Sequence, residues 1–220
     1  MEENGNYQWA DWLSYEPLES CSGRKDYQDE NGNWHTRPEA VAYWNYLSAS
    51  YWLMDAEMMA EMAAGTGRST DAKRYEAMAE EAREMLQKEH LNADGTFKTE
   101  ILNTMQTPAL FALRGKLVDG KAKEDMKARL RKNFAEHDNC LQTGFLGTSI
   151  LMPTLTANGM SDIAYELLLQ RKNPSWLYSI DNGATTIWER WNSYMKDSGM
   201  GPKGMNSFNH YALSLIHISE

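Results

Sequence analysis

The feature that most restricts the fold is an alternation, repeated three times, between nearly uncharged apolar stretches and charge-rich stretches of helical periodicity. The first apolar stretch runs from Thr36 to about Ala64, with Thr36 as N-cap and Pro38 in the first turn, and closes at Gly65-Thr-Gly67. Its few charges predict a helix buried on most sides. A second helix follows from Ser69 or Thr70 to about Leu91, where Tyr75, Met78, Ala79, Ala82, Met85 and Leu86 share one face and charges occupy the rest. The next pair is an apolar helix from about Thr104 to Leu113 and an amphipathic one from about Lys121 to His137, striped by Ala122, Met126, Leu130 and Phe134. The third is an uncharged helix from about Thr148 to Ala157 and a helix capped by Ser161 that runs to about Gln170. Helices covered all round, alternating with helices wet on one side, are what an α/α barrel of inner and outer layers requires. Strand signals are weak, and no sequence repeat of roughly 20 to 50 residues supports a solenoid. The chain reads as all-α.

Composition narrows the function classes. A chain of 220 residues is long enough for one domain with a real core. Eight Trp, eleven Tyr and fourteen Met stand out, and they suit either a large core or a cleft for a carbohydrate or apolar ligand. A net charge of −9 argues against a general nucleic-acid surface, which needs clustered Lys and Arg. Cys21 and Cys140 lie far apart in no CxxC pattern, so no disulfide framework is visible. No apolar run reaches membrane-spanning length, and the acidic, polar N-terminus is unlike a signal peptide, which leaves the compartment open.

Metal and nucleotide motifs fare poorly. The polar turn from Asp26 to Asn33 contains Asn31-Gly32, but the calcium-loop register that puts Gly32 sixth puts Tyr27 first and Pro38 last. His35, His90 and His137 have no metal-type spacing, so no metal is expected. Gly199 to Gly204 matches GxGxxG literally, yet it follows no strand and contains Pro202. No GxSxG elbow is present.

The stretch Gly183-Ala-Thr-Thr-Ile-Trp-Glu-Arg-Trp191 is the most informative for chemistry. It sets Glu189 between Trp188 and Trp191, and a carboxylate among aromatic rings loses hydration and is thereby suited to proton transfer. The alternative is that both indoles are core and Glu189 pairs with a cation such as Arg190. Loops 141–147, 173–191 and 199–206 would all lie at one end of such a barrel, the end where a ligand site belongs. His210, at the start of an expected last helix, is the best partner for Glu189, whether it orients the carboxylate or donates to a hydroxyl. Its other role is capping or core filling. Trp9, Trp12, Trp44, Tyr43 and Phe145 are possible stacking surfaces for a sugar ring, with core packing as the alternative for each.

Four motifs in order, Thr143-Gly-Phe-Leu-Gly-Thr148, Pro174-Ser-Trp176, Gly183 to Trp191 and Asn206-Ser-Phe-Asn-His-Tyr-Ala212, resemble the bacterial α-L-rhamnosidases of glycoside hydrolase family 78. Ala10-Asp-Trp-Leu13 and Met105-Gln-Thr107 fit as well, so the resemblance covers nearly the whole chain to about Ala212. It implies an (α/α)6 barrel and an inverting hydrolysis that removes terminal α-L-rhamnose from glycosides without a cofactor. It also implies Glu189 as general base, His210 as a sugar contact, and Asp11, Trp12, Trp44 and Phe145 in the sugar pocket. Inversion needs two carboxyl groups roughly 6.5–9.5 Å apart. The family's acid lies in a Trp-containing acidic motif upstream of the Asp-Trp-Leu segment, and nothing here matches it. The expectation is therefore a C-terminal partial barrel over residues 1–212, inactive alone and completed by an N-terminal part of the same polypeptide. Residues 213–220 depart from the family and read as an atypical, foreign or truncated tail. Two other readings remain: a different inverting α/α-barrel glycosidase, or a non-catalytic helical carbohydrate-binding protein.

Overall fold

The computed structural model describes residues 10–18 and 27–214. Six of its helices form three hairpins: α1 (Pro38–Gly65) with α2 (Ser69–His90), α3 (Gln106–Arg114) with α4 (Gly120–Glu136), and α5 (Phe145–Ala157) with α6 (Ser161–Leu168). The first helix of each hairpin also packs on the next first helix, α1 on α3 and α3 on α5, so these three make an inner layer. Their mutual surface is where the large side chains go. Tyr46 of α1 donates to the Pro108 carbonyl of α3 at 2.9 Å and meets Phe97 edge-on, and Leu110, Phe111 and Leu151 are buried in the same core. On the outer helices only one stripe is covered, as Ala79, Ala82 and Leu86 show on α2 and Met126, Leu130 and Phe134 on α4. The alternation of charge in the sequence is thus the alternation of layers.

Several boundaries differ from expectation. Pro38 opens α1 with Arg37, not Thr36, in the cap position, because the fixed φ of proline and its missing N–H fit the first helical turn. Ser161 is the first residue of α6 rather than its cap, and that helix ends at Leu168. The apolar stretch from Thr104 starts as a 3-10 turn, Glu100–Thr104, before α3 begins at Gln106. A short helix, α7 (Trp176–Asp181), sits inside the expected loop, capped by Ser175, whose hydroxyl accepts from the Tyr178 amide at 3.1 Å. Among the described residues the expected last helix is represented by one 3-10 turn, Tyr211–Leu213.

The expectation that α1 is buried on most sides is corrected too. Val41, Trp52, Met58, Met59 and Met62 are exposed on it. Two short hairpins complete the description, β1 (Tyr27–Gln28) with β2 (Trp34–His35) and β3 (Tyr194–Met195) with β4 (Gly199–Met200). In the first, Asp29 accepts from the amides of Asn31 and Asn33 at 2.9 and 2.8 Å and Gly32 takes φ +80°, which is the chemistry of a tight turn. Of the expected tail, Leu213 and Ser214 are buried; residues 215–220, like Trp9 and Cys21, lie outside the described residues.

Candidate active site

Two segments from the last third of the chain lie side by side and hold Glu189. The Glu189 amide donates to the Ser207 carbonyl at 2.9 Å, and the Ser207 amide donates back to Glu189 Oε2 at 2.7 Å. The His210 amide donates to the Ile187 carbonyl at 2.8 Å, and the Thr186 hydroxyl donates to the Phe208 carbonyl. This ladder places Glu189 and His210 on adjoining strands of chain. Glu189 is 7% exposed, and among the described residues its carboxylate accepts one hydrogen bond, the one from Ser207. Arg190 does not pair with it. The guanidinium turns to Asn192 Oδ1 at 3.1 Å.

The flanking indoles are core. Trp188 meets Phe208 and Tyr194 edge-on, at 5.1 and 6.4 Å between centroids, and Trp191 meets Trp176 at 5.4 Å. Trp191 also donates to the Thr143 carbonyl at 2.8 Å, tying the Glu189 segment to the loop that leads into α5. Both are buried, and with Trp176 they line a pocket of 240 Å³ that does not include Glu189.

There is a separate aromatic surface. Trp12, Trp44, Tyr51, Phe145 and Met205 line an open cleft of 550 Å³ whose walls are largely carbon. The imidazole of His210 stacks on the Phe145 ring, 5.3 Å between centroids and 27° between planes, so His210 packs against a residue of this wall. The sequence-derived residues Trp12, Trp44 and Phe145 therefore converge from three different elements on one cleft. Tyr43, by contrast, is wholly buried. A larger groove of 1020 Å³ runs between α1, α2, α3 and α5, but its main charges satisfy one another: Glu57 bridges Arg83 at 2.9 Å and Arg114 at 2.7 Å.

Asp11 does not line the cleft. It is fully buried, and both oxygens are taken by protein donors. Oδ1 accepts from the amides of Leu146 and Gly147 at 2.8 and 3.0 Å, and Oδ2 from the Gly144 amide at 2.8 Å and the Thr107 hydroxyl at 2.5 Å. These amides open α5, where N–H groups lack intrahelical partners and a negative charge is favoured. Burial nevertheless pushes the Asp11 carboxyl up from its ordinary range, against the lowering effect of the four donors. A carboxylate reaching α5 from 133 residues away explains why that helix starts at Phe145, three residues ahead of the expected Thr148. Gly147 has to be glycine, because a Cβ there would overlap the Thr107 hydroxyl and crowd Asp11.

Sequence reasoning missed Glu16. It does for α3 what Asp11 does for α5: Oε1 accepts from the Thr107 amide at 3.1 Å and from the Gln106 amide. Burial first, and the nearby Asp11 charge second, push its carboxyl up to about 8. The one signal in the sequence was two acidic residues, five apart, in an aromatic loop before the first helix. Together they brace the inner layer and set the position of Phe145 in the cleft wall.

A family model described as bacterial alpha-L-rhamnosidase 6 hairpin glycosidase domain matches residues 2–217. The chain belongs to this family. It is 35% identical over 208 residues to an alpha-L-rhamnosidase of Formosa agariphila, covering 94% of this chain and 20% of that protein. An alpha-L-rhamnosidase of Streptomyces avermitilis is 36% identical over 206 residues, covering 93% of this chain and 19% of that protein. The crystal structure of a Streptomyces avermitilis alpha-L-rhamnosidase complexed with L-rhamnose superposes with a TM-score of 0.75 at 33% identity, over 93% of this chain and 17% of the other. Native rhamnosidase from Aspergillus terreus gives a TM-score of 0.76 at 30% identity, over 97% and 23%. The chain spans about a fifth of the length of the curated relatives it matches. The six-hairpin (α/α)6 fold of the bacterial rhamnosidase family accounts for the inner and outer layers, of which the described residues form three hairpins.

Proposed function

We propose that this chain supplies the general base and part of the sugar pocket for an inverting hydrolysis of terminal α-L-rhamnose from rhamnose-containing glycosides. Glu189 carries the reading. Ser207 anchors Oε2, and Oε1 accepts no hydrogen bond from the described residues, which leaves it to orient and deprotonate a water. That water attacks the anomeric carbon from the face opposite the leaving oxygen. The carboxyl group that protonates the leaving oxygen is, in this reading, supplied by polypeptide upstream of these 220 residues, and residues 1–212 are one part of the catalytic domain. The small share of the relatives' length that the chain spans supports this. The cleft walls at Trp12, Trp44 and Phe145 suit the C–H faces of a sugar ring, and His210, stacked on Phe145, is placed to meet a hydroxyl at the same wall. Asp11 and Glu16 act as positioning residues that fix the helix starts behind that wall.

The test compares an upstream-extended polypeptide with its Glu189→Gln variant on an aryl α-L-rhamnoside. Removal of a general base costs about 10²–10⁴-fold in rate. A loss in that range supports the assignment. Equal activity in both moves the base elsewhere, and inactivity of the unmutated polypeptide removes the substrate class. The 220-residue chain by itself is expected not to turn over the substrate.

A further inference from the structure

Met205 is the one residue that the 199–206 loop contributes to the cleft, among the described residues. Its backbone has φ +51°, in the left-handed region that a residue with a Cβ seldom occupies. Gly204 stands immediately before it, so glycine was available to this loop, yet a long thioether occupies the strained position. The strain is held from the next two residues. Asn206 donates to the Ser193 carbonyl at 3.1 Å, and the Ser207 amide holds Glu189 Oε2. Met205 thus stands two residues before the amide that holds the proposed base, and its flexible apolar side chain, 54% exposed, lines the cleft with Trp12, Trp44 and Phe145. Strained positions kept by their surroundings gather at ligand clamps, and a methionine adapts to small apolar groups.

L-Rhamnose differs from L-mannose at one place: C6 is a methyl group instead of a hydroxymethyl. A hydroxyl placed against a wall of carbon and sulfur would lose its water and gain no partner. We propose that Met205 is a specificity-determining residue that packs on the C6 methyl group and so selects 6-deoxy sugars over their 6-hydroxy counterparts. This rests on the reading of the cleft as a sugar site given above.

The test uses the upstream-extended polypeptide, in which the rest of the sugar pocket is present, labelled with ¹³C-methyl methionine and titrated by NMR with L-rhamnose and with L-mannose. Met205→Gly identifies the Met205 methyl signal by its disappearance, and glycine adopts φ +51° without strain, so this variant keeps the fold. The indole N–H signals of Trp12 and Trp44 report occupancy independently of Met205. Rhamnose is expected to shift both the indoles and the Met205 methyl, and to bind about tenfold or more tightly than mannose, the lower end for one group in an apolar pocket. In Met205→Gly the preference should fall to about twofold or less. If the indoles shift while the Met205 methyl does not, or the preference survives in Met205→Gly, the assignment of Met205 is overturned and the sugar cleft stands. If neither sugar moves the indoles, the cleft itself is misread and the assignment falls with it.

Discussion

Asp11 and Glu189 are both carboxylates on loops, both next to tryptophan in the sequence, and both nearly shut off from solvent. The fold uses them in opposite ways. Asp11 accepts four hydrogen bonds, three of them from backbone amides at the start of α5. Glu189 accepts one, from the Ser207 amide, among the described residues. A carboxylate whose lone pairs are matched to fixed donors is a strut, because moving it would strand all of those donors at once. One that is anchored at a single oxygen is oriented but keeps capacity for a water. Burial and aromatic neighbours do not separate the two cases. The number of rigid donors does.

The sharpest way to break this comparison is Glu189→Gln. Glutamine keeps the volume and an oxygen for the Ser207 amide, but it cannot take a proton from water. The rhamnosidase activity of an upstream-extended polypeptide should fall about 10³-fold, while the urea midpoint stays within error of the parent. A variant that instead unfolds early would make Glu189 another strut.

Asp11→Ala tests the other side. It leaves three amides and the Thr107 hydroxyl facing a cavity without an acceptor, and with roughly 1–3 kcal/mol for a stranded buried group the cost should be about 3 kcal/mol or more. Urea denaturation of the 220-residue chain reads this as a lowered midpoint. Asp11→Asn, which retains one oxygen, should fall between parent and Ala. An unchanged midpoint for Asp11→Ala would remove the brace.

What the sequence made legible follows from the range of the interactions involved. Helix pairing was legible because charge alternation and three-and-four spacing are local signals, and each layer wrote its own burial into composition. Trp12, Trp44 and Phe145 could be named from the sequence as candidate stacking surfaces, and the fold brings them to one cleft, while Glu189 and His210 stood in the motifs that carry the family resemblance. The start of α5 was not, since its cap is a side chain 133 residues away and no local pattern encodes that. Glu16 was missed for the same reason, being 91 residues from the Thr107 amide it holds. The family resemblance put Asp11 in the sugar pocket together with its neighbour Trp12. One residue of separation turns the indole into the cleft and the carboxylate into the core. The α1 surface carrying Trp52, Met59 and Met62 failed differently, since lack of charge implies burial only where a neighbour covers the face.

Glu16 sharpens the comparison through pH. Its carboxyl is raised to about 8 in the fold, from an ordinary value of 4.5. Below 4.5 the group is protonated in both folded and unfolded chains and the fold bears no penalty. Between 4.5 and 8 the unfolded chain releases the proton while the fold retains it, so stability declines as pH rises, by an amount of order a few kcal/mol in total. Glu16→Gln, neutral at every pH, should flatten that decline when urea midpoints are compared at about pH 5 and pH 8. Parallel slopes in the two proteins would mean that Glu16 does not retain its proton in the fold.

Glu57 marks the weak end of the scale. It bridges Arg83 and Arg114, but its donors are long side chains rather than amides, and its own side chain is 24% exposed. Flexible partners can follow a displaced carboxylate or turn to water, so losing it strands nothing. Glu57→Gln should therefore cost about 1 kcal/mol or less, and the cost should shrink further in about 1 M salt, where exposed charges are screened. A cost approaching that of Asp11→Ala, independent of salt, would mean that rigidity of the donors is not what makes a buried carboxylate structural, and the distinction drawn between Asp11 and Glu189 would lose its physical basis.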